Sequence, residues 1–169
     1  LIVIGSGPAG RRAAVQAAKL KKSVLVVEKG RRVGGVCVHT GTIPSKTLRE
    51  SAVFFYQLTR NRLHGIRYEV GPELTVADFM HRERAVVQRE LELINESLGR
   101  YAVEVVQGHA RFAGPHAVAV KPPNGADTRT LTADFFVIAT GSRPNRPDDV
   151  PFDGETVFDS ETILQLPRM

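Results

Sequence analysis

Leu1-Ile2-Val3-Ile4-Gly5-Ser6-Gly7-Pro8-Ala9-Gly10 opens the chain, and its reading decides the fold. Four apolar residues run without a break, as in a parallel strand buried on both faces. The glycines that follow are spaced G-x-G-x-x-G. In that pattern Gly5 permits a tight turn, Gly7 lets a pyrophosphate approach the backbone, and Gly10 lets a helix pack close to the strand. Residues 11–21 carry Ala13, Ala14, Val15, Ala17, Ala18 and Leu20, a strongly helical composition. Ser23 to Val27 then reads as a second apolar strand ending at Glu28. Glu28 stands near the ~20-residue offset at which a carboxylate binds ribose hydroxyls. Alone it would be a surface acid at a strand end. With strand, turn, helix and acid in register, the stretch predicts a dinucleotide site whose helix amides face the phosphates. The glycine pattern by itself does not separate FAD from NAD.

Composition narrows the alternatives. With 169 residues the chain can bury a real core, and 42% hydrophobic with 24% charged residues is an ordinary globular balance. No apolar run approaches the ~20 residues of a membrane helix. Leu1 enters the strand with no basic segment before it, which reads as a buried strand and not a signal peptide, with a few residues expected to precede it. The net charge of +5 is spread over Arg11-Arg12, Lys19 to Lys22, Arg31-Arg32, Arg60 to Arg67 and Arg82 to Arg89, with acids among the later ones. That scatter, with no zinc-finger spacing or RNA-binding aromatic signature, argues against nucleic acid and against a metal site. A single cysteine excludes an internal disulfide and points to a reducing compartment, hence a cytoplasmic location.

Farther along, Lys29 to Thr42 reads as a glycine-rich loop, and Pro44 suits the first turn of a helix. Leu48, Ala52, Phe55 and Leu58 mark that helix's stripe. A second helix is predicted over Thr75 to Leu98, with Thr75 and Asp78 at capping-box spacing and Gly99 as its end. Its expected buried face is Val76, Phe79, Val87, Leu91, Ile94 and Leu98, and Met80 and the aromatic residues read as core. Tyr101 to Val106 predicts a third strand. Gly108 to Phe112, Ala117 to Lys121 and Arg129 to Thr132 predict an antiparallel meander with a turn at Pro122-Pro123-Asn124-Gly125. Asp134 to Ala139 rebuilds a buried strand. Asn145 to Asp159 reads as a loop, and Ser160 as the cap of a short helix through Leu166. The fold class expected is α/β: a Rossmann-like domain with a parallel sheet, a helical hairpin insertion and a small antiparallel β-meander. Residues 1–144 are expected to form the nucleotide domain, and 145–169 a linker.

The opening, the loop Gly34-Gly35-Val36-Cys37, Pro44-Ser45-Lys46 and Ala139-Thr140-Gly141-Ser142-Arg143-Pro144 together resemble the pyridine nucleotide–disulfide oxidoreductases, among them glutathione reductase and dihydrolipoamide dehydrogenase. Those enzymes usually carry Cys-x-x-x-x-Cys in this loop. Here the second position is Thr42, and Cys37-x-His39-x-Gly41-Thr42-Ile43-Pro44-Ser45-Lys46 is similar to the soluble pyridine nucleotide transhydrogenase branch.

The resemblance implies FAD as the cofactor and NADPH and NAD+ as substrates, with nicotinamide-binding and dimerisation domains beyond these residues. On that reading the 169 residues alone would not turn over, and the whole enzyme would be a homo-oligomer. It implies that Gly5, Ser6, Gly7, Pro8, Ala9 and Gly10 hold the pyrophosphate. Glu28, with Lys29 beside it, would hold the adenosine ribose, and Gly34, Gly35 and Cys37 would line the cofactor. Lys46 would stand near the flavin ring, His109 and Ala110 at the adenine side, and Thr140 and Gly141 in a turn close to the cofactor. Thr42 cannot form a disulfide, so electrons would leave as hydride to a second nicotinamide and not through thiol exchange. Cys37 then reads as a small residue against the cofactor or as a thiol able to form adducts, and His39 takes no assigned role. Two rivals stand beside this reading: the FAD domain of a disulfide reductase using a distant cysteine, and a non-catalytic nucleotide-binding module.

Overall fold

A parallel sheet holds the centre. Its strands are β1 (Ile2–Ile4), β2 (Leu25–Glu28), β3 (Glu104–Gln107) and β7 (Phe136–Ile138), in the order β3-β2-β1-β7. The structure, a computed structural model, describes residues 1–60 and 75–165. Ile2 pairs with Leu25 on one side and Phe136 on the other, and Leu25 pairs with Glu104. Strand period then sorts the side chains. Val3 and Val26 are fully buried on one face, where Val3 meets α1 (Pro8–Lys19) at Gly10. Ile2 and Val27 point to the other face, into a cluster with Val118 and Val120. Burying each such valine or isoleucine contributes ~1.5–3 kcal/mol, an upper estimate.

Val118 and Val120 belong to an antiparallel meander of β4 (His109–Gly114), β5 (Ala117–Lys121) and β6 (Arg129–Thr132). β1 and β2 are thus covered by α1 on one face and by the meander on the other, the two-sided burial that their continuous apolar runs call for. The strand expected to be buried over Asp134 to Ala139 is corrected: it is Phe136–Ile138 at the sheet's edge, with Ile138 67% exposed. Phe112 meets Phe136 edge to face, with ring centroids 5.3 Å apart, tying meander to sheet.

The chain divides into two compact units: Leu1–Cys37 with Glu90–Ser142, and the described parts of Val38–Arg89 and Arg143–Met169. The first holds both sheets and α1. The second holds α3 (Thr42–Arg60), α4 (Val76–Phe79) and the start of α5 (His81–Arg100). Within it, Phe55 of α3 lies against Phe79 of α4 at 6.1 Å between ring centroids.

The expected α/β architecture, with its parallel sheet and meander, is present. Several local expectations are corrected. Helix α1 begins at Pro8, earlier than residue 11, because proline at the first helical position is preset for the helix. The loop predicted over residues 29–42 contains a short helix, α2 (Gly35–His39), too brief to show periodicity. The stripe of α3 runs through Pro44, Thr47, Leu48, Ser51 and Phe55, and Ala52 is exposed. Thr47 and Ser51 are tolerated inside because their hydroxyls donate to the Ile43 and Thr47 carbonyls.

The helix predicted over residues 75–98 is interrupted at Met80, a turn residue with ψ −7° between α4 and α5. The capping box at its start is formed: Asp78 N donates to Thr75 Oγ1 at 3.2 Å and Thr75 N to Asp78 Oδ2 at 3.0 Å. Gly99 does not end the helix. Arg100 is still helical, and Ala102 takes the left-handed turn at φ 50° while Val103 N bonds back to the Leu98 carbonyl. That turn consumes Tyr101 to Val103, so the third strand starts only at Glu104.

The aromatic residues are not uniformly core: Phe54, Tyr56, Phe112 and Phe135 are exposed. The last helix is a 3₁₀ turn, Thr162–Gln165, capped by Asp159 and not Ser160. Its expected end at Leu166 lies outside the described residues, as does the basic run after Arg60.

Candidate functional site

Gly5 turns the chain off β1 at φ 102°, a conformation side chains rarely adopt. A Cβ there would stand 2.3 Å from the Ala139 carbonyl oxygen, so β7 and the Thr140 backbone press directly on the turn. A Cβ at Gly10 would stand 1.9 Å from the Gly5 carbonyl oxygen. These two glycines are required by protein packing. Gly7 differs, because a Cβ built there meets nothing within 4 Å. It is the N-cap of α1, with no side-chain cap and no acid in the first turn. The first amides of the 12-residue helix, positive by its dipole, are therefore left for an anion.

Behind the turn lies Glu28. Its residue is only 8% exposed, and three donors converge on the carboxylate. Oε2 accepts from Ser6 N at 2.8 Å and from Ser6 Oγ at 2.5 Å, and Oε1 accepts from Gly30 N at 2.7 Å. A carboxylate offers about four acceptor positions. One is not taken by these three donors. Ser6 Oγ also accepts from Gly34 N at 3.1 Å. Gly35 follows at φ 63°, and a Cβ on it would stand 2.9 Å from Gly7 Cα. The turn after β2 is thus laid against the turn after β1. Gln107 Nε2 holds the same loop by donating to the Arg31 carbonyl at 2.7 Å.

The structure brings together, within the first unit, Gly5, Ser6, Gly7, Gly10, Glu28, Gly34, Gly35 and the backbone at Thr140. Pro8 and Ala9 are exposed on the first turn of α1, and Lys29 is exposed beside Glu28. Gly108 N donates to the Glu28 carbonyl at 2.9 Å, which holds the chain leading from β3 into His109 and Ala110 against the end of the strand that carries the acid. His109 is exposed, while Ala110 packs on the core. Gly141 is exposed with φ 72°. Cys37 is half-buried on α2.

Thr42 and Lys46 sit in the second unit, on the exposed first turns of α3. Ser45 N caps onto the Gly41 carbonyl there, and Ser45 Oγ onto that of Thr42. Among the described residues no three His, Cys, Asp or Glu side chains gather as a metal site. No described helix is long and apolar enough to cross a membrane.

Sequence reasoning found the glycines and the acid but missed what joins them. The bond from Gly34 to Ser6 spans 28 positions and leaves no local signal. Two anchors in the second unit did have one: Asp153 with Thr156, and Asp159 with Thr162, at turn and cap spacing. Asp153 Oδ1 accepts from the amides of Glu155, Thr156 and Val157. The Thr156 hydroxyl, then those amides, hold its carboxyl well below the usual range. Asp159 is drawn down to about 2, first by the Thr162 amide and also by Arg146, whose Nε donates to Oδ2 at 2.6 Å.

The sequence profile of the family described as pyridine nucleotide-disulphide oxidoreductase matches residues 1–166. The chain is 46% identical over 166 residues to the soluble pyridine nucleotide transhydrogenase of Mycobacterium tuberculosis (strain ATCC 25177 / H37Ra), covering 98% of this chain and 36% of that protein. It is 40% identical to the protein of the same name from Colwellia psychrerythraea, with 98% and 35% covered. It thus spans about a third of the length of the curated relatives it matches. Among solved structures, the HOCl-induced flavoprotein disulfide reductase RclA from Escherichia coli superposes with a TM-score of 0.74 at 24% identity, covering 98% of this chain and 33% of that one. That likeness bears on the fold.

Proposed function

From the premise that the chain belongs to the pyridine nucleotide-disulphide oxidoreductase family, we propose that it forms the FAD-binding part of an enzyme passing hydride between NADPH and NAD+ without a redox-active disulfide. The observation that carries the second half of this reading is the lone sulfur. Cys37 is the chain's one cysteine, and Thr42 occupies the position where a partner sulfur would stand. A threonine hydroxyl forms no disulfide and no mixed-disulfide intermediate.

The residues present fit the cofactor. The uncapped amides of α1 and the open face of Gly7 suit a pyrophosphate. Pro8 and Ala9 at the same helix start leave the approach free of charge, and Gly5 and Gly10 set the turn that aims the amides. The remaining acceptor position on Glu28 suits a ribose hydroxyl. On this reading Lys29 serves the ribose, His109 and Ala110 the adenine side, and Gly34, Gly35 and Cys37 line the cofactor. Thr140 and Gly141 border the turn. Lys46 is assigned to the flavin ring, where a fixed cation stabilises negative charge. FAD, when bound, supplies the hydride chemistry; the protein orients it and excludes water.

Residues 1–144 are read as the flavin part, and 145–169 as a connection toward a nicotinamide-binding domain. The relatives' greater length supports placing the nicotinamide site and a homo-oligomer contact elsewhere. A cytoplasmic location accords with the single cysteine.

The test uses the intact protein with FAD, NADPH and a thio-NAD analogue. FAD-dependent reduction of the analogue, with no reduction of oxidised glutathione or lipoamide, is expected. Disulfide reduction without transfer to the analogue would replace this reading with the disulfide-reductase alternative.

A further inference from the structure

Ser6 was grouped with the residues around the pyrophosphate, yet its side chain faces the other way. The residue is 2% exposed. Its hydroxyl proton goes to Glu28 Oε2, and its oxygen receives the Gly34 amide. The proton and one of the oxygen's two acceptor positions are thus used within the protein. Nor does the backbone call for serine, since Ser6 is not among the residues at positive φ and alanine would adopt the same path. What alanine would lack is the relay. The Gly34 amide would lose its partner, and Glu28 Oε2 would keep one donor of two.

We propose that Ser6 is a positioning residue. Its hydroxyl links the Gly34 amide to the Glu28 carboxylate, fixing the acid's orientation and docking the Gly34-Gly35 turn on the phosphate turn before the cofactor arrives. Gly30 N secures the other carboxylate oxygen. Gly35 packs so closely on Gly7 that a Cβ there would stand 2.9 Å from Gly7 Cα, so the seated loop has no room for a side chain at this position. The serine therefore acts on affinity through Glu28 and the loop, and not by touching phosphate. This rests on the FAD reading above.

The experiment is a double-mutant cycle in the intact protein, with FAD affinity read by quenching of flavin fluorescence. Ser6→Ala is expected to weaken FAD about tenfold in the wild-type background and by less than about twofold in a Glu28→Gln background, because the carboxylate that the serine orients is no longer there. Amide exchange at Gly30 and Gly34 should quicken about tenfold in flavin-free Ser6→Ala, with β5 amides unchanged. Equal losses in both backgrounds would mean direct contact with the ligand and overturn the proposal, as would unchanged affinity and exchange. Should Ser6→Ala not fold, flavin-free wild-type protein decides: a protected Gly34 amide supports the relay, and one exchanging at the unstructured rate refutes it. Wild-type protein that bound no FAD would remove the flavin reading, while the exchange comparison would still test the relay.

Discussion

The glycine turn of residues 5–10 and the aspartate turns of residues 153–162 solve one problem by opposite means. Each must hold backbone outside a helix or strand ladder, where its polar groups need partners. The first does so by omission: with no Cβ at Gly5 and Gly10, strand, helix and β7 close to contact. The second does so by addition. Asp153 and Asp159 reach back and accept the amides that the chain leaves open. Omission leaves the first amides of α1 open to a ligand, while Gly5 N and Ser6 N bond to the Val27 carbonyl and to Glu28. Addition spends the amides internally and gives a turn that is purely structural.

The comparison breaks most sharply at Gly10. Gly10→Ala puts a methyl 1.9 Å from a backbone oxygen that cannot swing aside. A loss of at least ~3 kcal/mol in urea unfolding is expected, reaching failure to fold. A loss under ~1 kcal/mol would show that the strand–helix approach is looser than described. Gly35→Ala should cost ~1–3 kcal/mol from its φ of 63° and its contact with Gly7, and should weaken FAD as well. Gly7→Ala, at an open position, should leave folding within ~1 kcal/mol of wild type but weaken FAD. Equal stability losses at Gly7 and Gly10 would erase the distinction between packing and ligand glycines.

The aspartate turns answer to pH instead. Asp159 has an ordinary value of 3.8 and is depressed to about 2 in the fold. Its contribution is therefore present above pH ~4 and is lost as pH falls through ~4 toward ~2. Asp153, displaced in the same direction, adds to this limb. Asp159→Asn should lower the melting temperature by a few degrees at pH 7 and flatten its acid limb. An unchanged acid limb would remove Asp159 from that account.

The smallest effects lie at two helix ends where a side chain occupies a glycine conformation, Lys21 at φ 57° and Ala102 at φ 50°. Lys21→Gly and Ala102→Gly should each stabilise by up to ~1 kcal/mol in the urea midpoint.

These contrasts also explain what was legible in the sequence. Glycine spacing, apolar runs and the acid at Glu28 are local patterns imposed by sterics and burial, and they yielded the sheet, the cradle and the meander. Gly99 misled because the left-handed turn fell on Ala102, which carries no such mark. Helix α2 stayed hidden because five residues show no period. Ser51 replaced Ala52 on the buried stripe of α3 because a hydroxyl bonded to Thr47 costs little inside a helix. The relay through Ser6 joins two loops only after β1 and β2 align, so no local pattern of sequence announces it.

Everything functional turns on the unpartnered sulfur of Cys37, and anaerobic reductive titration of the FAD-loaded intact protein tests it most directly. Complete bleaching after about two electron equivalents per flavin, with the Cys37 thiol count unchanged, is the outcome expected of a site with no second redox sulfur. Uptake of about four equivalents, accompanied by release of the Cys37 thiol from a disulfide, would contradict it.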